Sequence, residues 1–369
     1  MDRQFPRLVI RRDKLRNNFT QIISRCRACG ISVAGVVKGV SGLPEIARLY
    51  KECGAAQLAT SRLEQIELWR REGVDGPFLL LRVPGMSELE SLPRLADYSL
   101  QSDVSTLNAL EDVCARQGLT HKVILMADLG DLREGFWDKE EMVRACCHVE
   151  RALPHLILAG VGVNLGCYGS IVPTPANLGQ LVDIARAVEE RIGRKLEIVS
   201  GGATSSYPLV HRGAMPEGIN HLRVGETALL AKDLQVDWSI GDMEYLQRGT
   251  MYLEGEIIEL RKKPTYPVGE TMIDAFGRRP TYVDRGTRLR ALVAFGRADV
   301  GDLESLICRE PGMTIVGGSS DHCIVDVEDC PRRLQVGDIV EFSLCYSHML
   351  YATSRSDMRL LFKHQQEEA

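Results

Sequence analysis

The sequence has no apolar run approaching the roughly 20 residues that cross a bilayer, so it offers no helical membrane span. Nor is there an excess of one charge: 45 basic and 50 acidic residues leave a net charge of −5. Without a broad basic field to meet a phosphate backbone, nucleic acid is not an expected partner. The eleven cysteines lack the even count and regular spacing of a disulfide-stapled secreted scaffold. Cys26 and Cys29 form a C-x-x-C, but no second pair follows at zinc-site spacing. The thiols read as buried or idle residues of a reducing cytosol, and no metal site is expected. The opening stretch MDRQFPRLVIRRDKLRNNF spreads its charges throughout and lacks the apolar core of a secretory signal. No repeat of fixed period and no low-complexity tract is present.

What is present is an ordinary soluble composition, 44% hydrophobic and 26% charged over 369 residues. At about 150 residues per domain this is two to three domains, or one barrel with an appendage. The first two-thirds alternates short apolar runs with amphipathic stretches. Strands are predicted at Val33–Lys38, Ala56–Thr60, Phe78–Val83, Tyr98–Ser102, Lys122–Asp128, Leu156–Asn164, Glu197–Gly201 and Leu222–Gly225. Helices are predicted at Arg12–Cys29, Leu43–Glu52, Arg62–Glu72, Val104–Arg116, Glu140–Arg151 and Asn177–Arg191, with starts at Thr60–Ser61, Ser102–Asp103 and Thr174–Pro175. Strand alternating with helix implies parallel pairing, because each crossover needs a helix to return the chain. Eight such units have the count and size of a closed (β/α)8 TIM barrel. After about Asp237 the rhythm changes to strand-like runs at Met251–Glu259, Leu289–Phe295, Thr314–Val316, Cys323–Val327 and Ile339–Leu344, with no long helical pattern between them. The expected division is therefore residues 1–237, an α/β barrel, and 238–369, a mostly antiparallel C-terminal β domain whose polar end from Lys363 frays.

Three segments carry chemistry. Lys38 closes the first barrel strand in VAGVVKGVSG, at the face where barrels place their active sites. Partial desolvation there lowers an amine's pKa and frees it to attack a carbonyl; the alternative is a lysine that snorkels out of the strand end. SGGATSS follows strand seven and LRVGET follows strand eight, where barrels commonly bind phosphate through glycine-freed amides and helix starts. Ordinary tight turns are the alternative. A lysine together with a phosphate cradle suggests pyridoxal 5'-phosphate, with residues 1–237 as the domain that binds it.

The ordered set VVKGVSGLPEIA, MADLGDLREGFW, GVGVNLGCYG, SGGATSSYPL, LRVGETALL, KKPTYPVGETMIDAFG, GGSSDHCIVDV and CYSHMLYATS resembles the fold-type III pyridoxal-phosphate racemases, the alanine racemase group, and within it the ornithine racemase branch. The resemblance spans nearly the whole chain. It implies Lys38 as the Schiff-base lysine and one-face base, and Arg133 as the contact of the cofactor hydroxyl and substrate carboxylate. Asn164 stands where the group has a histidine packing on the cofactor ring, and Arg223 matches the arginine at the pyridine nitrogen. Thr204, Ser205, Gly225, Glu226 and Tyr346 match phosphate contacts. Ser320 and Asp321 match a segment that a second subunit lends to the site, so the resemblance also implies a homodimer with shared active sites.

Two departures stand out. The group's second base, a tyrosine, falls where this chain has Phe276 within Ile273–Gly277, and its modified lysine falls at Met126. Asp274 is the nearest titratable group to the missing base; His322 and Cys323 are alternatives, and Asp274 could equally cap its own turn. The implied activity is α-proton abstraction and return on an amino acid, ornithine or another basic one, in the cytoplasm. The alternatives are another fold-type III reaction, decarboxylation or lyase chemistry, or non-catalytic binding of the cofactor. His121, His148, His155, His211 and His364 show no ligand spacing, Arg261–Lys263 reads as a solvated strand end, and Glu140–Glu141 as a helix first turn.

Overall fold

The computed structural model describes residues 5–363. His364 and the rest of the polar end lie outside the described residues. The chain divides into two compact units, Leu15–Gln247 and a second one built from the segment up to Lys14 and the segment from Arg248 onward.

The second unit thus claims the start of the chain. Strand β1 (Arg7–Arg11) has Leu8, Val9 and Ile10 fully buried and runs straight into helix α1 (Arg12–Ala28). The barrel unit then follows the expected rhythm. Its strands are β2 (Ser32–Val36), β3 (Gln57–Thr60), β4 (Phe78–Leu80), β5 (Tyr98–Gln101), β6 (His121–Ala127), β7 (Leu156–Val163), β8 (Ile198–Ser200) and β9 (His221–Val224). They pair in parallel in sequence order, and β9 closes on β2 with Leu222 beside Val33. Its helices after α1 are α2 (Pro44–Glu52), α3 (Leu63–Arg71), α4 (Leu92–Leu95), α5 (Val104–Gln117), α6 (Lys139–Ala152), α7 (Pro175–Ile192), α8 (Tyr207–His211) and α9 (Glu226–Leu229). Local chemistry sets several starts. The Asp103 carboxylate accepts the Thr106 amide at 2.9 Å, and the Thr174 hydroxyl accepts that of Asn177 at 3.2 Å ahead of Pro175. The start expected at Thr60–Ser61 is not capped so: Arg62 holds the cap position, and the Thr60 hydroxyl bonds Gln65 instead.

Small and branched side chains fill the barrel, among them Ala34, Ala59, Leu79, Leu100 and Ile124, together with the unbranched Met126. Polar groups thread this core in bonded chains. His221 meets Ser200 Oγ at 2.8 Å through Nδ1 and Gln57 Oε1 at 3.2 Å through Nε2.

The boundary falls at Arg248 rather than near Asp237. Residues between these points stay with the barrel because Asn17 and Asn18 of α1 bond the carbonyls of Tyr245 and Gln247, at 2.8 and 2.9 Å.

The second unit is a mostly antiparallel sheet of β10 (Met251–Pro264), β11 (Thr287–Val293), β12 (Ile307–Cys308), β13 (Thr314–Gly318), β14 (Cys323–Asp326), β15 (Ile339–Ser343) and β16 (Arg359–Lys363), joined by β1. β1 lies antiparallel to β10 and parallel to β16. Lys363 is therefore paired with Arg11 as the last residue of a strand rather than part of a frayed end. Two helices also interrupt the strands, α10 (Arg297–Val300) and α11 (Tyr346–Ser354). All eleven cysteines are free.

Candidate active site at the barrel's carboxyl rim

Five strand ends bring the barrel candidates to one rim. Lys38 lies in a short 3-10 turn two residues past β2. Desolvation lowers its pKa, the cations Arg133 and Arg223 push the same way, and Cys167 and Glu134 oppose them. The four groups from the ends of β6, β7 and β9 therefore surround one amine electrostatically. Arg133 follows β6 and is held charged first by its hydrogen bonds to Glu134, with NH2 to Oε1 at 2.5 Å.

Arg223 is buried on β9. It donates to the Ser200 hydroxyl and, at 2.8 Å, to the Val163 carbonyl. Since Ser200 accepts from the guanidinium, its own proton goes to His221 Nδ1, and His221 donates through Nε2 to Gln57. The tautomer is thereby fixed. Burial, reinforced by Arg223, pushes the imidazole down to about 3, so it stays neutral. Burial pushes Arg223 down to about 10, which leaves it charged at neutral pH. Neither of its two bonded partners is a carboxylate, and a buried cation so placed favours an acceptor facing it.

Asn164 follows β7, and its Nδ2 is a buried donor with no hydrogen-bond partner. After β8, Gly202 adopts φ +115°, and a Cβ there would sit 2.6 Å from Ser206 Oγ. The Thr204 hydroxyl accepts the Gly225 amide at 3.2 Å, which ties the β8 and β9 loops together. Ser205 Oγ donates to the Leu165 carbonyl at 2.6 Å. Gly225 caps α9, with Glu226 as its first residue. An unpartnered amide, a glycine cradle with hydroxyls, a buried cation and a desolvated lysine fit a phosphate-bearing carbonyl cofactor. Met126, where the resemblance places a modified lysine, is core.

The remaining candidates lie in the second unit. Asp274 caps its own turn: Oδ1 accepts the amides of Phe276 and Arg278 at 2.9 and 2.8 Å. Phe276 is 43% exposed beneath the Arg297 guanidinium and does not bury the carboxylate. Arg297 also donates its amide to the Ser319 carbonyl at 3.0 Å, so this turn and the Ser319–His322 turn share one anchor. Ser320 bonds Asp321 at 2.5 Å, and Ser319 Oγ lies 3.3 Å from His322 Nδ1. Cys323 is buried. Tyr346 opens α11 beside Cys345, whose Sγ lies 3.2 Å from both His348 Nδ1 and Ser347 Oγ. Burial pushes that thiol up, but the bonds from His348 and Ser347 outweigh it and bring it down to about 6.

The sequence reading missed Asp131, Glu134 and Cys167, which sit inside the quoted motifs. It also missed the Ser200–His221 support beneath Arg223, because parallel strands bring those residues together with no local spacing to reveal it.

The barrel, lysine, cation and cradle define the class: barrel enzymes that work on amino groups through a bound carbonyl cofactor. Residues 10–232 match the family described as alanine racemase, N-terminal domain, and the chain belongs to that family. It is a pyridoxal-phosphate-dependent amino-acid racemase. It is 37% identical over 346 residues to an ornithine racemase of Acetoanaerobium sticklandii, covering 94% of this chain and 96% of the relative. It is 35% identical over 354 residues to a lysine racemase of Thermotoga maritima, with the same two coverages. The fold matches the alanine racemase of Clostridium difficile 630 with a TM-score of 0.73 at 18% identity, covering 98% of this chain and 96% of that one. It matches a D-threonine aldolase from Filomicrobium marinum with a TM-score of 0.73 at 17% identity, covering 98% and 92%.

Proposed function

We propose that the chain interconverts the enantiomers of ornithine or another basic amino acid in the cytoplasm, with Lys38 holding the cofactor and serving as base on one face of the α-carbon. The observation that carries this reading is the desolvated Lys38 amine among Arg133, Arg223, Glu134 and Cys167. Such an amine loses its proton more readily, and can attack a carbonyl or accept an α-proton. The relatives named for ornithine and lysine support the basic substrate.

The bound cofactor supplies an electron sink for the charge left when the α-proton departs. Arg223 keeps its own proton, so a ring nitrogen facing it stays unprotonated. That restraint weakens the sink and favours returning the proton over side reactions. Arg133 is assigned to the cofactor hydroxyl and substrate carboxylate, oriented by Glu134. Asn164 stands where the group has a histidine beside the ring, and its unpartnered Nδ2 would be available there. Thr204, Ser205, the amides of Gly225 and Glu226, and Tyr346 hold the phosphate. Proton exchange on the opposite face falls to Asp274, with His322 as the alternative. These, with Ser320 and Asp321 at the substrate, come from the partner of a homodimer with two shared sites.

The test is incubation of purified enzyme with L-ornithine, L-lysine and L-alanine in deuterated water. α-Deuterium uptake with loss of optical purity is expected for the basic amino acids. Carbon dioxide release, or a new carbonyl, would move the chain to a decarboxylase or lyase. Absence of any exchange would make it a cofactor-binding protein.

A further inference from the structure

We propose that Asp131 is a positioning residue that locks three rim loops of the barrel into one working arrangement. This rests on the reading of Arg133 and Asn164 as cofactor- and substrate-facing groups. Asp131 is 2% exposed and lies two residues before Arg133. Its carboxylate accepts four consecutive amides of the loop after β7. Oδ1 takes Gly166, Cys167 and Gly169 at 3.0, 3.3 and 3.2 Å, and Oδ2 takes Tyr168 at 3.2 Å. An irregular segment carries donors that no ladder satisfies, and here one buried anion satisfies four of them by charge-assisted bonds.

The backbone is bent to make this possible. Gly166 has φ +82° and Ser170 +53°, both left-handed. A Cβ on Gly169 would lie 2.8 Å from the Asp131 carbonyl oxygen, so the two loops touch backbone to backbone. On the Arg133 side, Leu132 is also left-handed at φ +55°, and Asp128 Oδ1 accepts its amide at 3.1 Å. The chain of contacts continues to the third loop. Ser205 Oγ donates to the Leu165 carbonyl, and a Cβ on Gly166 would lie 2.9 Å from Ser205 Cβ. Asp131 thus joins the loop bearing Arg133 to the loop bearing Asn164 and, through it, to the loop bearing Thr204 and Ser205. Its oxygens are turned to backbone amides, so it acts through the residues it places. An alanine leaves four donors unmatched. An asparagine keeps one carbonyl oxygen for the three-amide side and turns an NH2 group against Tyr168.

Hydrogen exchange read by mass spectrometry on the cofactor-free protein isolates the lock. In Asp131→Ala the amides of residues 166–169 are expected to exchange on the order of 100-fold faster, while residues 156–163 of β7 keep their protection. In the loaded enzyme, cofactor affinity falls about tenfold and kcat on the order of 100-fold, the scale of an ångström misplacement. Asp131→Asn is expected to lie between wild type and Asp131→Ala in all three readings. It also serves as the reporting variant if the alanine protein does not fold. Wild-type exchange at 166–169 in either variant overturns the proposal, as does faster exchange with cofactor affinity and kcat within twofold of wild type. Failure of the wild-type enzyme to racemise any basic amino acid would instead strike the functional reading, and would leave the exchange result standing.

Discussion

The candidate residues of the barrel and those of the second unit are held in different ways. Arg223 is fixed from beneath by Ser200, which is fixed by His221, which ends on Gln57. Asp274, His322, Ser320 and Asp321 instead stand on turns whose bonds close on their own backbone or near neighbours. Arg223 is preorganised by buried bonds that no single turn could supply. The turn set is shaped locally and left open. A group fixed by buried bonds resists replacement, whereas an exposed turn tolerates it. Phe276, where the resemblance puts the group's tyrosine, stands on such a turn.

The largest test of this contrast is Lys38→Ala. Racemisation is expected to fall to background, with loss of the borohydride-reducible bond to the cofactor. If that variant is mixed with an Asp274 or His322 variant and subunit exchange is confirmed, part of the activity should return. Retained activity in Lys38→Ala alone would undo the assignment of the barrel rim.

Next comes the turn side. Asp274→Asn is expected to bind cofactor normally and still exchange the α-proton of one enantiomer, while turnover to the other falls about 10²–10⁴-fold. Deuterium uptake measured separately from each enantiomer distinguishes this from general damage. Normal racemisation by Asp274→Asn, with one-sided exchange in His322→Asn, moves the role to His322.

A smaller effect is expected beneath Arg223. Ser200→Ala leaves the guanidinium and His221 each short of a partner and should cost about 1–3 kcal/mol in denaturant unfolding. The same neutral imidazole gives the fold an acid dependence. His221 titrates at about 3 when folded against an ordinary 6.5, so only the unfolded chain takes up a proton between those values. Stability is then full above about 6.5 and declines as pH falls toward about 3. A denaturation midpoint that stays flat over that window would contradict the buried chain.

The smallest effect concerns Cys345. With its thiol near 6, alkylation by iodoacetamide should rise through about pH 6 and level off by neutral pH, while Cys345→Ser abolishes the fast-labelled site. Replacing His348 with Ala should move the rise back toward the ordinary thiol range.

The barrel was readable in sequence because each of its strands is a short apolar run followed by a periodic helix, so pattern and pairing agree. The strands the pattern hid are the ones whose partners are remote. β1 is five residues with arginines at both ends, and β16 is five residues ending in lysine. Each is defined by the other across the whole chain. The boundary at Arg248 depended on two asparagine amides in α1, more than 220 residues away in sequence. Of the candidate site, Lys38 and the glycine–hydroxyl cradle were readable because they follow closely on apolar strand runs. Asp131 and Ser200 were not, because what distinguishes them is the set of groups they meet. For Asp274 the sequence left two roles open, and the bonds it makes are those of a turn cap.

The pairing of β1 has a consequence for synthesis. Its Leu-Val-Ile run leaves the ribosome well before its sheet neighbours, β10, some 240 residues later, and β16, some 350 residues later. At about 5–20 residues per second, the first partner arrives on the order of 10–50 s after the strand itself. Through that interval the barrel can form, while an apolar strand with free edges stays open to any other unpaired strand in reach. A ribosome-bound chain halted near Gln247 should therefore engage a holding chaperone through Arg7–Arg11, and let it go once translation runs past β16.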